Sequence, residues 1–297
     1  MRRRFLTRPA LLAAAVVLVG TGGGCAVRMF LNIEKVALTE RLQLFLGGGG
    51  NTAVYLHGRE ALVVDPKMGD FARRLARGVE DELSRKVRRI VLTHAHSDHA
   101  RGVGAFPDVG AVLVHPRTHA RLVAADRSGD LRWVPYVDVD GEVRLFLGGS
   151  EVLVKYLGVA HTDGDLVVLF PDERVLVAGD LVLNGYEPYA DVSNGGDMLA
   201  FRRALDELMK LDFDQVVPGH GEVMDRAATQ AYRDYLAAAE EAVRAQVAQG
   251  SSEEATVRAV SLPGFPVLSP LPMASSREKT VRSMYRGVVE AAKKAAP

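Results

Sequence analysis

Between residues 93 and 99 the chain reads Thr-His-Ala-His-Ser-Asp-His, which packs three imidazoles and a carboxylate into six consecutive positions after the threonine. The preceding run, RRIVLT at 88–93, predicts a buried strand that delivers this loop to the edge of a sheet. His94 and His96 stand two apart, so an extended backbone turns both rings to the same side. Asp98 and His99 follow where the chain turns into a helix and therefore point to a neighbouring position. One short loop can thus feed two adjacent metal ions. Imidazole suits zinc, and a lone carboxylate per ion leaves the metal a strong Lewis acid. At this chain's histidine and aspartate frequencies, the spacing arises by chance in roughly one such chain in a few thousand.

Three more candidates fall at the ends of expected strands, where polar residues of α/β proteins usually build sites. His161 follows a strand at 151–157, in Gly-Val-Ala-His-Thr-Asp-Gly. Asp180 ends the run RVLVAGD, and His220 sits in Pro-Gly-His-Gly directly after a strand at 215–217. Each alone reads as a surface or turn residue. Together with the 94–99 loop they make seven candidate ligands, enough for two ions sharing one bridging carboxylate. The only cysteine is Cys25. A disulfide framework within the chain is excluded, and a cysteine-based zinc site or a Cys/His catalytic pair is disfavoured.

The rest of the pattern describes a layered α/β protein. Short β-rich runs are expected at 41–46, 52–57 and 60–65, then a charged helix at 69–86. A strand at 111–115 and a helix at 117–125 follow. Further strands are expected at 142–147, 165–170 and 174–178. Residues 197–211 have amphipathic helical spacing, and Asp225 can cap a long helix ending at Gly250. The glycine run 47–50 lacks the Gly-Lys-Ser/Thr ending of a phosphate loop and reads as a flexible hairpin loop. Residues 262–275 read as a Pro- and Ser-rich loop before a final helix at 276–295, whose 281–285 segment is expected to pack back on the body. Sheets inside and helices outside are the natural assembly. Three domain segments result: an address at 1–24, a catalytic domain at 31–250, and a C-terminal loop and helix at 251–297.

Of 297 residues, 48% are hydrophobic and 25% charged, which suffices for a large core and excludes disorder. The N-terminus has the order of an export signal: four arginines without an acid before residue 9, an apolar run at 11–19, then small residues up to Cys25. The run is too short for a confident membrane span. Arg-Arg-Arg-Phe-Leu at 2–6 resembles a twin-arginine export signal, and Gly-Gly-Gly-Cys resembles a lipoprotein processing site. The expected location is the periplasm, free or lipid-anchored through Cys25, with no other membrane association. The formal charge of zero averages this basic address with the remainder: without residues 1–24 the chain holds 33 basic and 37 acidic residues, a net of −4. A mildly acidic surface does not suit a nucleic-acid partner, and a small-molecule substrate is expected.

In order, Asp65, His94-x-His96-x-Asp98-His99, His161, Asp180 and His220 resemble the five motifs of the metallo-β-lactamase-fold superfamily, over about residues 38–225. Gly102 and Gly104 fit the glycine-containing stretch after its His-rich loop. The resemblance implies an αββα four-layer sandwich with a metal pair at one edge. It assigns His94, His96 and His161 to a first zinc ion, Asp98, His99 and His220 to a second, and Asp180 to a bridge between them. Asp65 would orient the site without ligating. The implied reaction is hydrolysis by a metal-bridging hydroxide, with Asp98 assisting proton transfer to the leaving group.

An aspartate at the bridging position resembles the glyoxalase II-like, lactonase-like and nuclease-like branches. True β-lactamases typically carry another residue there. His-Thr-Asp-Gly-Asp at 161–165 departs from the His-Thr-Pro-Gly-His of glyoxalase II. The implied substrate is a small ester, thioester, lactone or lactam. A mononuclear iron enzyme of the persulfide dioxygenase type, a true β-lactamase, a nuclease and a non-catalytic binding protein stay as alternatives, and with the first of these iron as a possible metal. Tyr186 and Tyr189 lie in the loop after Asp180 and either wall the substrate pocket or pack beneath the loop. His57, His115 and His119 match no motif and read as surface or structural, and Trp133 reads as a packing residue beside Pro135 and Tyr136.

Overall fold

Two mixed β-sheets lie face to face, and helices cover their outer faces. The computed structural model describes residues 32–295 apart from 128, 130, 263, 267 and 270–275. The expected export signal and Cys25 lie outside the described residues. The first sheet holds seven strands in chain order, β1 (Ile33–Ala37), β2 (Leu42–Gly47), β3 (Thr52–His57), β4 (Glu60–Val64), β5 (Lys86–Val91), β6 (Ala111–Val114) and β7 (Tyr136–Asp138). Its first four strands are antiparallel and the rest run parallel. The second sheet has the order β13-β12-β11-β10-β9-β8, built from β8 (Glu142–Leu147), β9 (Ser150–Tyr156), β10 (Leu166–Phe170), β11 (Val175–Leu183), β12 (Gln215–His220) and β13 (Met224–Asp225).

Alternation decides which side chains face which layer. Leu42, Leu44, Ala53, Tyr55, Leu62 and Val64 of the first sheet meet Val152, Val154, Val168, Phe170 and Val177 of the second in a dry inner core. Tyr55 stacks on Phe170 across it with ring centroids 5.0 Å apart. The other face of the first sheet packs on helices Gly69–Arg77 and Pro116–Ala125. The other face of the second packs on helices Met198–Leu208, Arg226–Ala248 and Arg277–Ala295. The result is the expected αββα sandwich. Val281 and Met284 are buried in the last of these layers, so the C-terminal helix does pack back on the body.

The boundaries moved where local signals were weak. The expected 69–86 helix is α-helical only over Gly69–Arg77 and continues as a π-type turn, Gly78–Glu82, whose Glu80 and Asp81 face solvent or the half-buried rim. β1 and β7 were not anticipated: both are short and mostly exposed, and only their pairing to β2 and β6 fixes them. The helix Glu253–Ala259, capped by Ser252, was likewise not anticipated within the C-terminal segment. Trp133 is 84% exposed, in a short 3-10 turn outside the sheet, and so is not the packing residue expected. His115 caps the helix that follows it, accepting from the Arg117 amide, and His119 pairs with Asp138, so both serve structure.

Candidate metal centre

Five histidines and three aspartates converge where β4, β5, β11 and β12 end. The run after β5 turns into a single helical turn, Ser97–Ala100. This carries Asp98 and His99 to one side while His94 and His96 stay on the other. His161 arrives from the loop after β9. Asp180 was expected at a strand end. It instead lies inside β11, all nine residues of which are buried, and the parallel register with β12 slips at Gly179 beside it. His220 closes β12, three residues longer than expected.

Two sets of ligand atoms result, His94, His96, His161 and Asp180 in one, and Asp98, His99 and His220 in the other, each within 4.8 Å of one another. The rings of the first three histidines sit 4.7, 4.7 and 4.8 Å apart. Asp180 faces both sets. Its Oδ2 lies 3.8 Å from His94 Nε2 and 3.5 Å from His161 Nε2, and its Oδ1 lies 3.3 Å from His99 Nε2 and 3.6 Å from His220 Nε2. Asp98 Oδ2 is 3.3 Å from His220 Nε2.

The outer partner of each ring determines where its proton sits. The Tyr189 carbonyl, 2.7 Å from His161 Nδ1, can only accept, so that nitrogen carries the hydrogen and Nε2 is bare. His96 Nε2 donates to the Asp191 carboxylate at 2.9 Å, leaving its Nδ1 bare. His99 Nδ1 donates to Asp65 at 2.8 Å, which turns Nε2 toward Asp180 Oδ1 at 3.3 Å. Thr93 Oγ1 spends its one hydrogen on Asp65 at 2.6 Å and so accepts from His94 Nδ1 at 3.0 Å. Asp65 also takes the Thr93 amide at 2.8 Å, so its carboxylate ties Thr93 and His99 together. The inner nitrogens of His94, His96 and His161 face inward as lone pairs in these tautomers, and those of His161 and His96 confront each other at 3.0 Å.

Facing lone pairs repel unless a cation lies between them. Among the described residues buried His94 Nε2 has no hydrogen-bond partner, and buried Asp180 Oδ1 has nothing better placed than the His99 ring at 3.3 Å, a costly state for polar atoms in a dry interior. Tetrahedral zinc with ligand distances of about 2.0–2.1 Å sets its ligand atoms about 3.3 Å apart, which the observed spacings bracket. The donor set therefore fits metal ions. Burial pushes His161 down to about 4 and His94 well below the usual imidazole range, so both rings are bare bases at neutral pH. His99 is raised well above that range: Asp180, Asp98 and Asp65 together outweigh its burial. Despite its own burial, Asp180 is held far below the carboxylate range by His220 and His99. The pocket is thus organised around concentrated negative charge that calls for a compensating cation.

The two tyrosines part company. Tyr186 is buried in the outer core of the second sheet, and its backbone bridges Ser269. Tyr189 faces His161, ring centroids 5.6 Å apart, and lines a cleft of about 710 Å³ with Asp191, Val192, Met198 and Ser283 of the C-terminal helix. A second cleft, about 1070 Å³, starts at Ala95 and runs past Arg101, Arg121 and Arg127. Asp163 and Asp165, the departures noted after His161, build the loop: Asp163 is paired with Arg121, and Asp165 accepts from the Thr162 amide and hydroxyl.

Sequence reasoning missed Asp191. It stands in an irregular loop among other acids, and no periodicity marks it. Ser193 and Asn194 bond its carboxylate and aim it at His96. Outer partners of this kind typically carry a 10–100-fold share of metal affinity. Asp191→Ala should weaken binding of one metal equivalent by about 10-fold or more in a chelator competition. Unchanged affinity would show that His96 needs no such support.

The sequence matches the family model of the metallo-β-lactamase superfamily over residues 46–220, more than half of the chain. The chain belongs to that superfamily. It is 27% identical over 171 residues to a metallo-β-lactamase type 2 of Bacillus cereus, covering 56% of this chain and 64% of the relative. It is 33% identical over 153 residues to the α subunit of 2,4-dinitroanisole O-demethylase of Nocardioides sp. (strain JS1661), covering 50% and 45%. The chain thus spans about half to two thirds of these relatives' length. The fold is shared with a metallo-β-lactamase from Pontibacter korlensis (TM-score 0.61, 21% identity, 69% of this chain and 99% of that one). It is also shared with the sec-alkylsulfatase Pisa1 from Pseudomonas sp. (TM-score 0.70, 13% identity, 86% and 50%). Superfamily members are generally hydrolases, and the His/Asp cluster lies within or at the end of the matched segment.

Proposed function

We propose that this chain is a two-zinc hydrolase that cleaves a small ester, thioester, lactone or lactam. The observation that carries the reading is Asp180, a buried carboxylate with one oxygen turned to each set of imidazole nitrogens. His94, His96 and His161 would hold the first ion, Asp98, His99 and His220 the second, with Asp180 shared. Bound zinc would polarise the scissile carbonyl and bring the pKa of a water toward neutrality.

The chain's own residues do the remaining work. Thr93, Asp191 and the Tyr189 carbonyl fix the tautomers of His94, His96 and His161, and Asp65 orients the ring of His99, which gives up its Nε2 proton when a metal binds. Asp98 is the most exposed of the three clustered carboxylates, its side chain 24% accessible, and it stands at the mouth of the site. There it can take a proton from the attacking water and pass it to the leaving group. The cleft past Tyr189 and the arginine-lined cleft on the other side give the substrate room. The N-terminal order of arginines, apolar run and Cys25 supports a place in the cell envelope, outside the cytosol.

A substrate panel tests the reading. Zinc-loaded protein should turn over at least one lactone, thioester, ester or lactam. The partial likeness to an O-demethylase subunit makes an aryl methyl ether a worthwhile further member of the panel. Turnover of phosphodiesters alone would favour a nuclease, and oxygen uptake by an iron-loaded sample would favour the dioxygenase chemistry.

A further inference from the structure

The glycine run 47–50 is a hairpin loop between β2 and β3, as its sequence suggests, but all four residues are buried. Its backbone lies directly on the second ligand set. A Cβ on Gly49 would sit 2.8 Å from the Asp98 Cβ, and one on Gly50 would meet the His99 ring, 2.5 Å from Nε2 and 2.7 Å from Nδ1. Only glycine lets the main chain approach this closely.

Two side chains hold the loop there. Lys67 is 0% exposed, a rare state for a lysine. Among the described residues no carboxylate lies within 4.0 Å of its ammonium, which donates instead to the carbonyls of Gly47 at 2.5 Å and Gly50 at 2.7 Å. Asn51 ties the other end to the loop of His220. Its Nδ2 donates to the carbonyls of Pro218 at 2.9 Å and Gly221 at 2.8 Å, its amide donates to that of Gly219 at 2.8 Å, and its Oδ1 accepts from the Gly47 amide at 3.1 Å. The loop therefore touches Asp98, His99 and the strand end that carries His220. The outer partners of the three histidines of the first set are Thr93, Tyr189 and Asp191, and among the described residues no hydrogen bond joins the loop to them.

We infer that Lys67 and Asn51 are positioning residues for the second metal ion alone: they brace the glycine loop, and the loop braces Asp98, His99 and His220. This rests on the two-zinc reading, and the test separates the two. Metal-free Lys67→Met protein is titrated with zinc in a calorimeter beside the wild type. The second binding step should weaken by about 10-fold or more, while the first stays within about 2-fold. Equal weakening of both steps, or of neither, overturns the inference. In the metal-free proteins, amide exchange at Gly49, Gly50, Asn51 and His99 should be about 10-fold faster in the variant. Unchanged exchange overturns the bracing role however many ions bind. If the wild type takes up a single ion, the two-zinc reading fails and the exchange result alone decides the role of Lys67. If Lys67→Met does not fold, Asn51→Ala, which cuts the ties to Pro218 and Gly221, should show the same selective loss. An intact second step in that variant overturns the inference.

Discussion

Asp180→Ala should leave a folded protein that neither holds two metal ions nor turns over substrate. The residue presents one oxygen to each ligand set, so its loss removes a ligand from both. Zinc content should fall from about two ions per chain to below about one, and turnover by on the order of 10³-fold, equivalent to roughly 4 kcal/mol of transition-state stabilisation. The metal-free fold should survive. The neighbours of Asp180 are the clustered histidines and Asp65 still pairs with His99, so the variant chiefly loses a buried charge while His99 keeps its outer tie. Thermal unfolding of the metal-free variant should lie within about 5 °C of the wild type. A collapse of the metal-free fold would make Asp180 structural, and undiminished zinc content would refute its bridging place.

The second large effect is expected at Gly219, beside Asp180 in the neighbouring parallel strand. A Cβ there would meet Asp180 Oδ1 and come within 2.7 Å of the Gly179 carbonyl carbon and 2.8 Å of the Asp180 nitrogen. The last two are backbone atoms of a fully buried strand, so β11 and β12 must move apart to admit a methyl group. Gly219→Ala should cost about 1–3 kcal/mol of stability, as overpacking of a tight interior does. It should also shift the carboxylate and lower zinc uptake, unlike Asp180→Ala, which should spare the metal-free fold. Denaturant unfolding with metal analysis reads both. A variant as stable and as zinc-rich as the wild type would mean that the two strands are less tightly packed than described.

The residues of the candidate metal centre were legible because short-range chemistry marks them. His94, His96, Asp98 and His99 share one loop, and His161, Asp180 and His220 each follow an apolar run, so strand periodicity alone brings them to one edge. The αββα layering followed from the same alternation. What supports the ligands was not legible. Lys67 looks like an ordinary surface lysine until β2 and β3 fold over it, and Asp191 is one acid among several in its loop. The glycines at 50 and 219 serve close approach between segments far apart in sequence. The 47–50 run was read as flexible for the same reason: composition shows that glycine permits a conformation, but only tertiary contacts show whether the chain is free to use it. Tyr186 packs in the core, one of its two expected places, whereas Trp133 is exposed and not the packing residue expected.

The most direct measurement is the metal content of the protein, taken by mass spectrometry of the metal after extensive dialysis and compared with its hydrolytic activity before and after chelation. The account predicts about two zinc ions per chain, activity lost on chelation, and recovery when zinc is restored. Fewer than about one ion per chain, with activity unaffected by the chelator, would contradict it.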